Sequence, residues 1–149
     1  MKILIALVIA LASCSDVKLP DSHDSLSSAA EEIEDVSIRY TPSYVKIDYP
    51  NGDVDPKTGV CTDVVIRAYR KLGIDLQRLV HEDMLDNFDE YPNNWGLTRP
   101  NSNIDHRRVP NLMKFFSRKG KVLPITNNPL DYKPGEIICW ELSRGILHI

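Results

Sequence analysis

Two residues of this sequence, Cys61 and His148, have the types and positions of a nucleophile and its general base. Cys61 follows a glycine-containing loop and stands at the start of a stretch with helical periodicity, whereas His148 lies in the last predicted strand. The dipole and unpaired N–H groups of a helix N-terminus favour the thiolate, which is the nucleophilic form of cysteine. Nucleophile and base meet in space rather than in sequence, so their separation along the chain is no obstacle. The alternative is that Cys61 is a small buried residue beneath a helix.

The segment after this loop predicts a helix that begins near Cys61 and ends at Gly73, which suits the position after a helix C-terminus. Two basic residues fall in its last turn, where the helix dipole favours cations. Its apolar stripe is formed by Val64, Val65, Ala68 and Leu72. Cys61 is therefore expected in the first turn of a helix that packs on the core.

Three further amphipathic helices are predicted. The first starts at a capping box, Ser28 to Glu31, and carries apolar residues inward at Ala29, Ile33, Val36 and Tyr40 before it ends ahead of Pro42. The others cover residues 76–88 and 109–120.

Strands are predicted mainly near the C-terminal end of the sequence. Residues 136–142 and 146–149 read as two strands joined by a turn at residues 143–145, and residues 44–49 read as a short extended piece. Because the predicted helices come first and the predicted strands come last, we expect an α+β domain over residues 28–149, with an antiparallel sheet at its C-terminal end.

A polar loop between the last two helices contains Asp105, His106, Arg107 and Arg108. The arginines could bind substrate carboxylates through forked hydrogen bonds, or the loop could be held together by Asp–Arg pairs. His81, Asp83 and His106 are too scattered to predict a metal site, so neither a metal nor another cofactor is expected.

The sequence contains three cysteines, Cys14, Cys61 and Cys139. None forms a C-x-x-C pair, and their spacing fits no zinc ribbon or finger. A Cys61–Cys139 disulfide is possible in an oxidising compartment. The preferred interpretation makes Cys139 a core residue that alternates with Ile137 in a strand.

The first 13 residues have the features of a signal peptide. Lys2 is followed by an unbroken apolar run over residues 3–12, which is too short to span a bilayer. The alternatives are a buried first helix and ordinary cleavage near Ser13. Residues 11–14 read Leu-Ala-Ser-Cys and resemble the lipobox of bacterial lipoproteins, which implies cleavage before Cys14 and attachment of lipid to it. Polar residues 14–27 then predict a flexible tether, in which His23 is solvated.

Length and charge limit the possible functions. A chain of 149 residues with 42% apolar residues predicts one domain with a real core. Its formal net charge of −3 gives no electrostatic footprint for nucleic acid. The leader predicts an exported protein of the periplasm or cell surface, and the lipobox resemblance implies that the lipid on Cys14 holds it at the membrane.

Two stretches of the sequence resemble known families. Residues 59–65 read Gly-Val-Cys-Thr-Asp-Val-Val, and residues 132–140 read Tyr-Lys-Pro-Gly-Glu-Ile-Ile-Cys-Trp ahead of His148. These are similar to the nucleophile motif and the histidine-bearing strand pair of NlpC-type peptidases, the cell-wall branch of the papain-like superfamily. More closely, residues 59–77, 103–112 and 134–135 resemble an uncharacterised bacterial family, domain of unknown function 1287, whose likeness extends from about residue 40 to 149.

The resemblance implies a papain-like fold, in which the helix of Cys61 packs on the C-terminal antiparallel sheet. Val60 stands where that group usually has Asp, and Thr62 and Asp63 stand where it has Ser-Gly. A carboxylate at Asp63 would disfavour the thiolate unless it caps the helix N–H groups. Tyr49 is the nearest equivalent of the tyrosine that helps to hold the oxyanion.

In this group the third polar residue, which orients the histidine, lies on the strand after it. The sequence ends at Ile149, so we expect the domain to continue further, with an open sheet edge beside His148. The function implied is hydrolysis of amide bonds, most simply in peptidoglycan stem peptides, with Cys61 as nucleophile and His148 as base. The alternative is an inactive papain-like binding module of the envelope.

Overall fold

The computed structural model describes residues 23–149, and this part of the chain has an α+β fold with four α-helices and two small sheets. The predicted signal peptide, the predicted lipidation site Cys14 and most of the predicted tether lie outside the described residues. Within residues 23–149, no helix is long and apolar enough to cross a membrane. The elements are α1 (His23–Glu31), β1 (Arg39–Tyr40), β2 (Thr58–Gly59), α2 (Cys61–Lys71), α3 (Leu76–Asp86), α4 (Val109–Lys119), β3 (Trp140–Leu142) and β4 (Ile146–His148).

Helices α2, α3 and α4 form where the sequence predicts them, and each has local signals at its ends. Gly73, just past α2, adopts a φ of +77°, which glycine tolerates better than other residues. Asp75 caps α3 by accepting a hydrogen bond from the Arg78 N–H at 3.1 Å. Helix α4 carries Pro110 in its first turn, where a missing N–H costs nothing.

The hydrophobic core lies between these three helices. The residues that fill it are Ile66 and Tyr69 of α2, Leu76, Val80 and Met84 of α3, Tyr91 of the loop after α3, and Leu112 and Phe115 of α4. Ile137 and Ile149 reach the same core from the C-terminal hairpin. The hairpin is thus tied to the helices by apolar side chains at both of its ends.

The prediction for the first helix is wrong in its position. Helix α1 begins at His23, inside the predicted tether, and ends at Glu31, so the capping-box residues lie in its second half. Val36, predicted to face inward, is 98% exposed. Beyond α1 the chain turns instead, because the Asp35 side chain accepts hydrogen bonds from the Ser37 N–H and the Lys57 ammonium group.

A parallel pair of two-residue strands follows, which the sequence did not indicate. Tyr40 of β1 lies beside Gly59 of β2, and the Thr41 N–H donates to the Gly59 carbonyl at 2.9 Å. Residues 44–49 form no strand. That segment is held by the Asn103 side chain, which accepts from the Ile47 N–H and donates to the Val45 carbonyl, both at 2.7 Å.

The C-terminal hairpin is antiparallel, as predicted, with Trp140 opposite His148. Its turn places Arg144 and Gly145 at positive φ, and the first strand is shorter than expected because only Trp140–Leu142 pairs. Within residues 23–149, β4 pairs with β3 alone. The hairpin packs on α4, α2 packs on α1 and α3, and residues of α2 and β4 border one cavity.

Candidate active site

A cavity of about 700 Å³ has both Cys61 and His148 in its wall. Most of the wall is apolar, and it is built from three regions. Helix α2 and the residues before it contribute Gly59, Val60, Cys61, Asp63, Val64, Val65 and Arg67; α1 and the chain up to β1 contribute Ala30, Glu31, Ile33, Glu34, Asp35, Ile38 and Tyr40; β4 and the residue after it contribute His148 and Ile149. The fold therefore brings the two predicted catalytic residues to one site.

Cys61 is the first residue of α2 and carries a free, partly exposed thiol. The preceding Val60 is extended and serves as the N-cap residue. His148 packs its ring against Trp140, with 4.7 Å between the ring centroids and 46° between the planes. No hydrogen bond joins Cys61 to His148 within residues 23–149, although both residues border the same cavity.

The negative charge of Asp63, close to the Cys61 thiol, is balanced by two partners. Its carboxylate accepts a hydrogen bond from the Val60 N–H at 2.7 Å and thereby caps α2. The same carboxylate forms a forked ion pair with Arg107, with Nε to Oδ1 at 2.8 Å and Nη2 to Oδ2 at 2.9 Å. The negative charge near Cys61 is thus neutralised by a buried arginine.

Thr62 supports the same junction and does not face the cavity. Its buried hydroxyl donates to the Arg107 carbonyl at 3.0 Å. Thr62 and Asp63 together fasten the first turn of α2 to the 3₁₀ turn Asp105–Arg107. Their role in this structure is to hold the nucleophile helix in place.

The polar loop is held by one ion pair within it and by another to α2. Arg107 pairs with Asp63, and Arg108 pairs with the Asp105 carboxylate at 2.9 Å. The Arg108 guanidinium also lies 3.9 Å from the centroid of the Trp95 ring. None of these residues except Asp63 borders the Cys61 cavity. The geometry favours the alternative in which Asp–Arg pairs pin the loop over the one in which the arginines bind substrate.

His106 is buried in this loop and is kept neutral. Burial, together with the neighbouring Arg107 charge, lowers the pKa of His106 to about 4, against smaller opposite effects of Asp63 and Asp75. An unfolded histidine titrates near 6.5. The unfolded chain therefore binds a proton at this residue between pH 6.5 and 4, and the folded chain does not.

We expect this difference to make the protein less stable as the pH falls from 6.5 to 4. The stabilisation from neutral His106 is complete above pH 6.5 and lost through that window, at about 1.4 kcal/mol per pH unit and on the order of 3 kcal/mol in all. Urea unfolding at pH 5.0, 5.5, 6.0 and 6.5 measures the slope above the range where most carboxylates titrate. His106→Asn should flatten it, and an unchanged slope in this variant would refute the assignment.

The tyrosine on the cavity wall is Tyr40, whereas the predicted Tyr49 lies elsewhere. The Tyr49 ring makes an edge contact with His81, with 5.2 Å between the centroids, and does not border the cavity. Tyr40 reaches the cavity because β1 pairs with β2 two residues before Cys61. Sequence reasoning missed this residue because it assigned Tyr40 to the inward face of a helix.

The remaining sequence alternatives concern a metal site and a disulfide. Among residues 23–149, no group of three or more His, Cys, Asp or Glu side chains could hold a metal ion. Asp83 instead accepts hydrogen bonds from Tyr91 and Arg118. Cys61 and Cys139 are both free thiols. Burial raises the pKa of Cys139, and the nearby charge of Cys61 raises it further.

Comparison with known proteins places the chain in a family. The model of the family described as "Domain of unknown function (DUF1287)" matches residues 27–149. The chain is 58% identical over 110 residues to the "Uncharacterized protein YijF" of Escherichia coli (strain K12), a match that covers 74% of this chain and 54% of that protein. The chain thus spans about half the length of this curated relative. No solved structure is significantly similar to it. The chain belongs to the DUF1287 family.

Proposed function

We propose that this protein is a cysteine hydrolase that cleaves amide bonds, with Cys61 as nucleophile and His148 as general base. The observation that carries the proposal is that both residues border one cavity, with Cys61 at the first position of α2. A helix N-terminus favours the thiolate, and an imidazole across the same cavity can take and return a proton. The apolar wall lowers the local polarity, which strengthens such charge interactions.

The reaction proceeds in two balanced steps. His148 takes the thiol proton, the Cys61 sulfur attacks the carbonyl carbon, and the C–N bond breaks as the amine leaves with that proton. Water then attacks the thioester, releases the carboxylic acid and restores the thiol. The first N–H groups of a helix have no acceptor inside it, so the N–H of Cys61 can hold the oxyanion. The Val60 N–H is already engaged by Asp63, and the Tyr40 phenol is a second donor on the wall.

The substrate and location belong to the same proposal. The leader-like residues 1–13 and the lipobox-like residues 11–14 support export and a lipid on Cys14. The resemblance of the residues around Cys61 and His148 to NlpC-type peptidases supports a papain-like arrangement and a peptide substrate from peptidoglycan stems. One acyl chain holds a protein only weakly at a membrane, so several chains would be needed for stable attachment.

A specific observation favours the second candidate, a binding module without turnover. His148 packs on Trp140 and makes no hydrogen bond to Cys61 in the described part of the chain. Val60 and Asp63 also depart from the residues usual in active NlpC-type enzymes. In this alternative the cavity retains its shape and apolar wall, and the thiol is unreactive.

The rate of alkylation by iodoacetamide at neutral pH separates the two candidates. A free cysteine is only a few per cent thiolate at pH 7, so a thiol activated by α2 and His148 should be labelled about ten times faster than a cysteine in an unstructured peptide. Cys139 is an internal reference, because burial raises its pKa, and it should react slowly. Mass spectrometry of the two peptides gives both rates.

His148→Gln is the matched variant for this experiment. It should bring the Cys61 rate down toward that of the free peptide and leave Cys139 unchanged. A Cys61 rate equal to or below that of the peptide in the unaltered protein would favour the binding module and exclude the activated nucleophile.

A further inference from the structure

The imidazole of His148 contacts one aromatic ring within residues 23–149, the indole of Trp140. The two residues stand directly opposite each other in the β3–β4 hairpin, so their side chains leave the same face of it. Their centroid separation of 4.7 Å is at the short end of the range for interacting aromatic rings. His148 borders the Cys61 cavity and Trp140 does not. The indole thus contacts the proposed base without lining the space for a substrate.

The backbone beneath this ring pair is held by packing on both sides. Ile137 and Ile149 of the hairpin reach the core between the helices, and β4 packs on α4. The freedom left to the imidazole is therefore rotation about its own two side-chain torsions. In the described part of the chain no hydrogen bond restrains the His148 ring, so its contact with the indole is the interaction that can limit this rotation.

We propose that Trp140 is the positioning residue for the proposed base, and that its indole holds the His148 imidazole in one rotamer at the wall of the Cys61 cavity. This inference rests on the proposed function, because the orientation of the ring matters for catalysis only if His148 takes the proton of Cys61. In the Ser-His-Asp triad a polar residue orients the imidazole. Here an aromatic contact has that role. Trp140 does not border the cavity, so it acts only through His148.

Three variants separate the effect of the ring from that of the hairpin. Trp140→Leu removes the ring and keeps an apolar side chain in β3, whereas Trp140→Phe keeps a ring. Leu142→Ala is the control, because Leu142 lies on the same face at the next pair of that face, opposite Ile146, and is 43% exposed, close to the 45% of Trp140. This change disturbs the hairpin and leaves the contact between Trp140 and His148 in place.

The first measurement is the rate of alkylation of Cys61 by iodoacetamide at pH 7. Loss of an aromatic contact in Trp140→Leu should lower this rate about threefold to tenfold. Trp140→Phe should retain most of the rate, and Leu142→Ala should leave it unchanged. In a His148→Gln background, Trp140→Leu should have no further effect, because the indole acts through the imidazole alone.

The second measurement reports the orientation of the ring and does not depend on catalysis. A single rotamer of His148 gives one large and one small three-bond coupling between Hα and the two Hβ protons, whereas averaging over rotamers makes the two couplings alike. NMR should show unequal couplings in the unaltered protein and in Trp140→Phe. It should show similar couplings in Trp140→Leu.

Three results would overturn the inference and leave the proposed function standing. One is a Cys61 rate in Trp140→Leu that equals the rate in the unaltered protein and stays above that of His148→Gln. Another is an equal loss of rate in Trp140→Leu and Leu142→Ala, which would assign the effect to the hairpin. The third is unequal couplings in Trp140→Leu, which would show that other contacts orient the ring.

Failure of the proposed function has a different signature. It would appear as a Cys61 rate in the unaltered protein that is no higher than in His148→Gln. The couplings of His148 would then decide alone whether the indole of Trp140 orients the imidazole.

Discussion

Replacing Cys61 with alanine should abolish release of amine from amide substrates and leave the protein folded. Among the residues on the wall of this cavity, Cys61 has the only thiol and no serine or threonine is present, so we expect the acyl intermediate to form on Cys61. In hydrolases that use a nucleophile and a general base, loss of the nucleophile lowers kcat on the order of 10⁴-fold or more. Alanine favours helix, and Cys61 is only partly buried, so the stability should change little.

The measurement is the initial rate of hydrolysis by the full-length protein on a panel of peptides, esters and muropeptides. Cys139→Ala is the matched control, because it removes the other described thiol and should retain the rate. His148→Gln should lower kcat by at least about 10²-fold, in line with the usual contribution of general base catalysis. Identical rates for the unaltered protein and Cys61→Ala across the panel would refute the hydrolase proposal.

The part of the fold that the sequence predicted is the part determined by local signals. Helices α2 and α4 have apolar positions at helical spacing, and their bounds differ from the predicted ones by no more than a few residues. The β3–β4 turn was predictable because Ser-Arg-Gly stands between two apolar runs. In these segments burial and local preference favour the same structure.

The N-terminal part was not predictable in this way. The capping box at Ser28 suggests a helix start, yet α1 already begins at His23. The chain beyond Glu31 leaves the helix, and Asp35 forms an ion pair with Lys57, 22 residues away. Strand β1 exists only through its pairing with Gly59, and two-residue strands have no periodicity to detect. The structure of this region depends on contacts between residues that are distant in the sequence, and such contacts cannot be read from a single sequence.

The site shows the same division between local and distant information. Cys61 and His148 could be chosen from their residue types and their places on a helix and a strand. Tyr40 could not, because its approach to the cavity depends on strand pairing. Nor did the sequence indicate that Asp63 would pair with Arg107, which is 44 residues away.

Removing one partner of the Asp63–Arg107 pair should lower the free energy of unfolding strongly. Both side chains are only 4% exposed, and each uses two atoms in the forked contact. Arg107→Ala leaves the Asp63 carboxylate buried with the Val60 N–H as its remaining partner, and removal of one member of such a pair costs about 3–5 kcal/mol. The free energy of unfolding from urea titration at pH 7 measures this loss.

A double-mutant cycle distinguishes this pair from an ordinary surface ion pair. Asp63→Leu combined with Arg107→Met should be less destabilising than the sum of the two single substitutions, because no unpaired charge is left buried. The exposed Arg78–Glu82 pair of α3 is the control within the same chain, and its loss should cost at most about 1 kcal/mol. If Arg107→Ala costs no more than that control, the pair does not hold α2 against the 105–107 turn. The alkylation rate of Cys61 should fall in Arg107→Ala, because an uncompensated Asp63 charge beside the thiol disfavours the thiolate. It should fall less in the double variant, which has no charge at residue 63.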